Sequence, residues 1–228
     1  MSTQKRRYQL KARAERQRRT RERIVAATAA LHEEVGPART TIADIARRAG
    51  VQRLTVYKTF PDPAQLFAAC QGHFLAQSPP PDLDPDAGDP RARLEQALSA
   101  LYGWFRANQA MQRHVHRDRH LVPELDRLLE RTLDARFDAL ARAYADRLGG
   151  GRTPLAAQAL IRLALDFRTW ELLSGLGLED RGIARLLARA AGAVLDQCPE
   201  PEDRPLPGGE GGRDGLHPEP GGPAASSA

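Results

Sequence analysis

Aromatic residues are scarce, at 5% of 228 positions, while alanine, leucine and arginine recur throughout. That balance favours helices over strands and predicts an all-α protein. The two cysteines, Cys70 and Cys198, stand alone without metal-ligand spacing. They exclude a disulfide framework and are read as small hydrophobes without chemistry. No stretch approaches the ~18 uninterrupted apolar residues of a membrane span, and residues 1–23 lack the apolar heart of a secretory signal. A cytoplasmic protein with no membrane partner is expected. Also missing are a glycine-rich phosphate loop, a Ser or Cys nucleophile with a placed histidine, and a pair of carboxylates in a catalytic setting. These gaps argue against an enzyme, and no cofactor is expected.

What is present is charge, unevenly placed. The chain is 28% charged, 41% hydrophobic and net +5. Residues 1–60 hold 15 Lys and Arg against 5 Asp and Glu, net +10, which leaves −5 for the remainder. Clustered cations suit a polyanion, because each phosphate contact releases condensed counterions. A merely solubilising basic arm, residues 1–14, is the alternative reading.

Periodicity and punctuation divide the rest. A first helix is predicted from 15 to 35, with Ile24, Thr28, Leu31 and Val35 on one face and Gly36-Pro37 as its stop. Thr41 caps a second helix carrying Ile42, Ile45 and Ala46, and Gly50 ends it where a left-handed backbone costs glycine least. A third helix spans 53–59. Asp62 and Pro63 then open a fourth that runs to 77. The run SPPPDLDPDAGDP, 78–90, reads as a stiff acidic connector and a domain boundary. Helical patterns resume at 91–108, 109–119, 123–148, 154–174 and 180–197. The stretch from 199 to 228, rich in Pro and Gly, is expected to be disordered.

The second and third helices, joined by a turn at Ala49-Gly50-Val51, have the form of a helix-turn-helix, whose second helix enters the DNA major groove. Ala46 lets the helices cross closely, while Val51 and Val56 pack inward. Gln52, Arg53, Leu54, Thr55, Tyr57, Lys58 and Thr59 are left pointing outward or sideways, toward base edges and phosphates.

Residues 20–75 resemble the DNA-binding domain of the TetR family of bacterial transcriptional regulators. The stretch TTIADIARRAGVQRLTVYKTFPDPAQLF follows that family's order of Thr, Ile-Ala, Ala-Gly-Val and Tyr-x-x-Phe, then a short cap and a fourth helix. The resemblance implies that Thr41 lies near phosphate at a helix N-terminus. It implies too that Arg53, Leu54 and Thr55 face bases, and that Tyr57 and Lys58 hold the backbone. Leu54 replaces a commonly small residue and Pro63 a common lysine, so phosphate anchoring at the fourth helix is weakened and the basic arm has room to compensate.

The same resemblance implies that residues 91–198 form a helical domain that dimerises and holds a small effector. A ligand-responsive repressor reading a pseudo-palindromic operator as a homodimer is the leading expectation. A dimeric DNA-binding protein without small-molecule control is the alternative, and a helical-bundle enzyme with an accessory DNA-binding region a remote third. The stretch 155–175, apolar nearly all round, and the last helix offer Leu165, Leu172, Ile183, Leu187, Ala190, Ala191 and Val194 for a dimer interface. Trp104, Phe105, Met111, His114, Phe137, Phe167 and Trp170 are the candidate ligand contacts, with Tyr102 and Tyr144 nearby. Asp166 and Arg168 are read as pairing with neighbouring helices. His116 and His120 share a helical spacing with Asp118 between them, but no third metal ligand is fixed by sequence, and no metal is assigned.

Overall fold

Ser2 opens a helix of 33 residues, α1 (Ser2–Glu34), in a computed structural model that describes residues 2–86, 88–151 and 155–197. Residues 7–14 and 16–19 are exposed, and ion pairs of Glu15 with Arg18 (2.7 Å) and Arg19 (2.8 Å), and of Arg18 with Glu22 (2.5 Å), run along the helix. The apolar face starts only at Ile24. Residues 1–14, set apart in the sequence as an arm, are therefore continuous with α1 from Ser2 onward. No Pro or Gly interrupts that stretch, and i to i+4 pairing supports it.

Gly36, with φ of 95°, turns the chain into a 3-10 turn, Pro37–Arg39. Thr41 then caps α2 (Ile42–Ala49), accepting from the Asp44 amide. Gly50 ends α2 in the left-handed conformation (φ 63°, ψ 42°), and the Val51 amide reaches back to the Ala46 carbonyl (2.9 Å). Arg23 of α1 donates to the carbonyls of Ala49 and Gly50, fixing the turn from outside. After α3 (Arg53–Thr59), Asp62 and Pro63 start α4 (Pro63–Gln77). Ile24, Val25, Ala27, Ile45, Val56 and Phe60 form the core of this N-terminal group.

A larger core follows in α5 (Pro90–Ala107), α6 (Gln109–Asp118), α7 (Pro123–Leu129), α8 (Ala135–Leu148), α9 (Leu155–Ala164), α10 (Phe167–Gly175) and α11 (Asp180–Gln197). Leu98, Tyr102, Phe105, Tyr144, Ile161 and Trp170 fill it. Alanines at 97, 184, 188 and 191 are also buried in it, which lets α5 and α11 approach closely. A single π-turn, Glu130–Asp134, joins α7 to α8. No described helix is long and apolar enough to cross a membrane.

Three expectations change. The helix predicted over 154–174 is two helices, broken at Leu165-Asp166. Asp166 caps α10 by accepting from the Arg168 amide (2.8 Å), and the freed Ala164 carbonyl accepts from the Tyr102 hydroxyl (2.8 Å). The connector 78–90, read as a stiff link between domains, is packed into the larger core. Leu83 is 2% exposed in the larger core, and its carbonyl accepts from the Tyr144 hydroxyl (3.1 Å). Nor do the two cores stand apart, since the described residues form one compact unit. Residues 199–228, for which disorder is expected from the sequence, and Cys198 lie outside the described residues.

Candidate nucleic-acid interface and ligand cavity

Two caps and one buried valine position the recognition face. Val56, 1% exposed, nails α3 to the N-terminal core, so the helix can rotate little about its axis. Gln52, Arg53, Leu54, Tyr57 and Lys58 consequently face solvent, with Leu54 58% and Tyr57 56% exposed. Exposure of two large apolar or aromatic side chains on one short helix is a cost unless a partner covers them. Thr55 and Thr59 are half-buried, and the Thr59 hydroxyl donates to the Thr55 carbonyl (2.7 Å), leaving its lone pairs for an outside donor. Thr41 stands exposed at the start of α2. Its hydroxyl donates to Asp44 (2.5 Å), which holds that carboxyl below the usual carboxylate range, helped by Arg47.

The helical extension of α1 adds to this face. Arg13, Arg16 and Arg21 line a shallow groove together with Thr55, Lys58 and Thr59 of α3. Arg21 lies over the Phe60 ring, 4.1 Å from its centroid. All eight residues proposed from the sequence for DNA thus lie on α3 or on the caps flanking α2 and α3, and the groove joins α1 to α3.

The effector prediction fares less evenly. A cavity of about 300 Å³ lies among α1, α4, α5, α6, α7 and α8. Trp104, Met111 and Phe137, three of the candidate ligand contacts, line it. Phe105, Phe167 and Trp170 do not. Their rings pack on one another at 5.4 to 5.8 Å between centroids and fill the core instead. His114 is also outside, because its ring Nδ1 donates to the carbonyls of Glu33 (3.0 Å) and His32 (3.2 Å), capping the end of α1. The sequence reading missed Phe67, Cys70, Gln71 and Phe74 of α4 and Gln112 of α6 in the lining. The signal was available in Phe67, Cys70 and Phe74, whose 3- and 4-residue spacing puts them on one face of a helix otherwise assigned to DNA binding.

The lining is largely uncharged. Burial pushes the His32 imidazole down to about 4 and the Cys70 thiol up to about 12, so both are neutral near pH 7. His32 stacks on Phe67 (5.4 Å). His116, the other histidine pushed down to about 4 by burial, stacks on Phe167 (5.2 Å) with its Nε2 unpaired. His120 is turned out by the 3-10 turn Arg119–Leu121, its side chain 63% exposed, so the two do not share a site.

A polar latch fastens α6 to the end of α1 and to the 3-10 turn that precedes α2. Asp118, 1% exposed, accepts from the Ala38 amide (3.0 Å) and from Arg117, which also donates to the Val35 carbonyl (3.1 Å). A Cβ on Gly36 would sit 2.4 Å from both Arg117 Nη2 and Asp118 Oδ2. Glycine is needed there for space as well as for its positive φ. Through this latch α6, which lines the cavity with Met111, Gln112 and Val115, grips the end of α1.

On the dimer prediction, Leu165, Ile183 and Ala191 are 0%, 0% and 1% exposed within the chain's own core and are unavailable to a partner. The break at Asp166 turns Leu165 inward. Leu172 is 66% exposed, and Leu187, Ala190 and Val194 are half-buried. Leu163, Leu176 and Leu186 are further exposed apolar residues on or beside the same three C-terminal helices.

A capped helix-turn-helix presenting a basic face, joined to an all-helical body, is an arrangement suited to duplex DNA. Comparison with known proteins narrows the class. Residues 24–70 match the family described as bacterial regulatory proteins, tetR family. A helix-turn-helix-type transcriptional regulator of Mycobacterium bovis is 29% identical over 180 residues, covering 76% of this chain and 93% of the relative. One from Mycobacterium tuberculosis is 28% identical over 182 residues with the same coverage. A TetR-like transcriptional regulator from Rhodococcus sp. RHA1 shares the fold, with a TM-score of 0.55 at 19% identity, covering 78% of this chain and 96% of that one. Residues 24–70 thus carry the helix-turn-helix region of that family, and the chain as a whole is similar to helix-turn-helix-type regulators along most of its length.

Proposed function

We propose that this protein is a transcriptional regulator of the TetR family, a cytoplasmic, ligand-responsive repressor that binds a pseudo-palindromic operator as a homodimer. Residues 15–77 read DNA, and residues 91–198 bind effector and dimerise. Arg53, Leu54 and Thr55 face bases, with Gln52 and Thr59 beside them, while Thr41, Tyr57 and Lys58 hold phosphates. The cations of α1 follow the flanking backbone. A two-fold dimer would offer two copies of α3 to half-sites roughly 34 Å apart or slightly more. The outward residues of α10 and α11, Leu172, Leu187, Ala190 and Val194, supply its interface.

The observation that carries this reading is the latch. An effector entering the cavity pushes on α6, and α6 holds the end of α1 through His114, Arg117 and Asp118. The α4 helix gives a second route, because it lines the cavity and follows α3 directly. A difference of about 1–3 kcal/mol in effector affinity between two arrangements of α1 and α4 would change operator affinity roughly 5- to 150-fold. Selecting bound fragments from random DNA tests the proposal. Recovery of a palindrome, and its release by compounds that raise the melting temperature, is the expected result. A palindrome that no stabilising compound releases would favour a constitutive dimeric regulator, and failure to enrich any sequence would refute operator recognition.

A further inference from the structure

Most polar side chains lining the cavity already have partners. His32 Nδ1 and the Cys70 sulfur face each other at 3.5 Å. Gln71 donates to the Thr132 hydroxyl (3.0 Å), whose proton goes to the Leu128 carbonyl (2.7 Å). Two remain without a side-chain hydrogen bond or ion pair among the described residues: the Gln112 amide, on a residue 8% exposed, and the exposed guanidinium of Arg136 at the rim. Arg136 is also the one charged side chain in that lining at neutral pH, since His32 and Cys70 are both neutral there. Nearby Thr132 and Leu133 belong to the π-turn, a distortion that recurs at functional sites because it re-aims side chains.

We propose that the cavity binds a small amphiphile with a single negative charge, an aliphatic carboxylate. Its chain lies among Phe67, Phe74, Trp104 and Met111, and its carboxylate meets Arg136. This assignment rests on the ligand-responsive reading above. A guanidinium pairs with a carboxylate through two parallel hydrogen bonds. An ammonium head would meet only repulsion there, and a second negative charge would find no cation. At about 300 Å³ the space is at the lower edge of the range typical of ligand pockets, which suits a short to medium chain.

Titration of the full chain with octanoate, 1-octanol and octylamine, by calorimetry and by tryptophan fluorescence, tests it. Octanoate binds at least about tenfold more tightly than the alcohol, and the amine most weakly. Arg136→Gln weakens octanoate about tenfold while leaving the alcohol unchanged. Trp104 lines the cavity and Trp170 is buried outside its lining, so octanoate changes the tryptophan fluorescence of the wild-type chain. Equal affinity for acid and alcohol, or an acid preference surviving in Arg136→Gln, would overturn the assignment. Operator binding is measured separately. Octanoate that binds through Arg136 without altering DNA affinity sustains the cavity assignment and removes the ligand-responsive reading, whereas operator release by neutral ligands alone does the opposite.

Discussion

Removing the Asp118 carboxylate should loosen the protein in a way that separates the latch from simple packing. In Asp118→Ala the Ala38 amide loses its acceptor and Arg117 loses its ion pair. Hydrogen bonds to a charged group contribute about 1.5–3 kcal/mol, and breaking a fully buried pair costs about 3–5 kcal/mol. Arg117 is 43% exposed and can turn to water, which argues for the lower range, about 2–3 kcal/mol. For a chain of this size that is a fall of about 4–12 °C in melting temperature. Asp118→Asn keeps an acceptor for Ala38 and should lose about half as much. Although burial alone would raise the Asp118 pKa, hydrogen bonds from Arg117 and Ala38 outweigh it and hold the carboxyl below its ordinary value. The stability it supplies is thus present above the unfolded-state pKa and disappears as pH falls through the lower folded-state value. The wild-type advantage over Asp118→Asn should shrink accordingly in acid. The assay is thermal denaturation at pH 7 and at acid pH, followed by operator titration with and without a stabilising ligand. An alanine variant melting within about 1 °C of wild type would refute the latch. Retention of full ligand response would refute its role in coupling.

Arg53→Ala should cost about 1–3 kcal/mol on the preferred operator and relax preference at one base position, whereas Lys58→Ala should weaken all sequences alike and reduce the salt slope by about one; fluorescence anisotropy across salt concentrations distinguishes them, and equal loss of specificity in both would show the roles exchanged. His32 and His116 are both held neutral by burial, with pKa values pushed down to about 4, so stability is complete above about pH 6.5 and declines as pH falls from there toward 4, by on the order of 3 kcal/mol per histidine. Denaturant midpoints between pH 7 and pH 4 measure this, and His116→Phe should flatten the slope; an unchanged slope would place the proton uptake elsewhere. Leu172→Asp puts a charge on an outward position and should shift sedimentation toward monomer without lowering monomer helicity, while an unaltered sedimentation profile would remove α10 from the interface.

The recognition element was legible because its determinants are local. Thr41, Gly50, Asp62 and Pro63 mark their own boundaries through capping and left-handed backbone. A run as short as α3 can bury few of its side chains, so the outward set follows directly from which of them are apolar. The charge split and the missing catalytic motifs were likewise properties of composition.

Other features depended on partners far away in the chain. Asp166 looks like a polar residue inside one apolar helix until the Tyr102 hydroxyl, 62 positions earlier than the carbonyl it reaches, accommodates a break there. Leu165, Ile183 and Ala191 have the periodicity of an interface, but periodicity records only that a face is covered, and here the chain itself covers it. The choice among aromatics was equally tertiary: Phe105, Phe167 and Trp170 close on one another, whereas Trp104 is left against the cavity with Phe74, its indole donating to the Ser78 carbonyl (3.2 Å). Sequence by itself determined where α2, α3 and α4 begin and end and that α3 turns a polar, basic face outward, since both follow from neighbours within a few residues. Only the tertiary structure decided which apolar faces remain open and how α6 is fastened to α1, because burial and hydrogen-bond satisfaction are settled by contacts between distant segments.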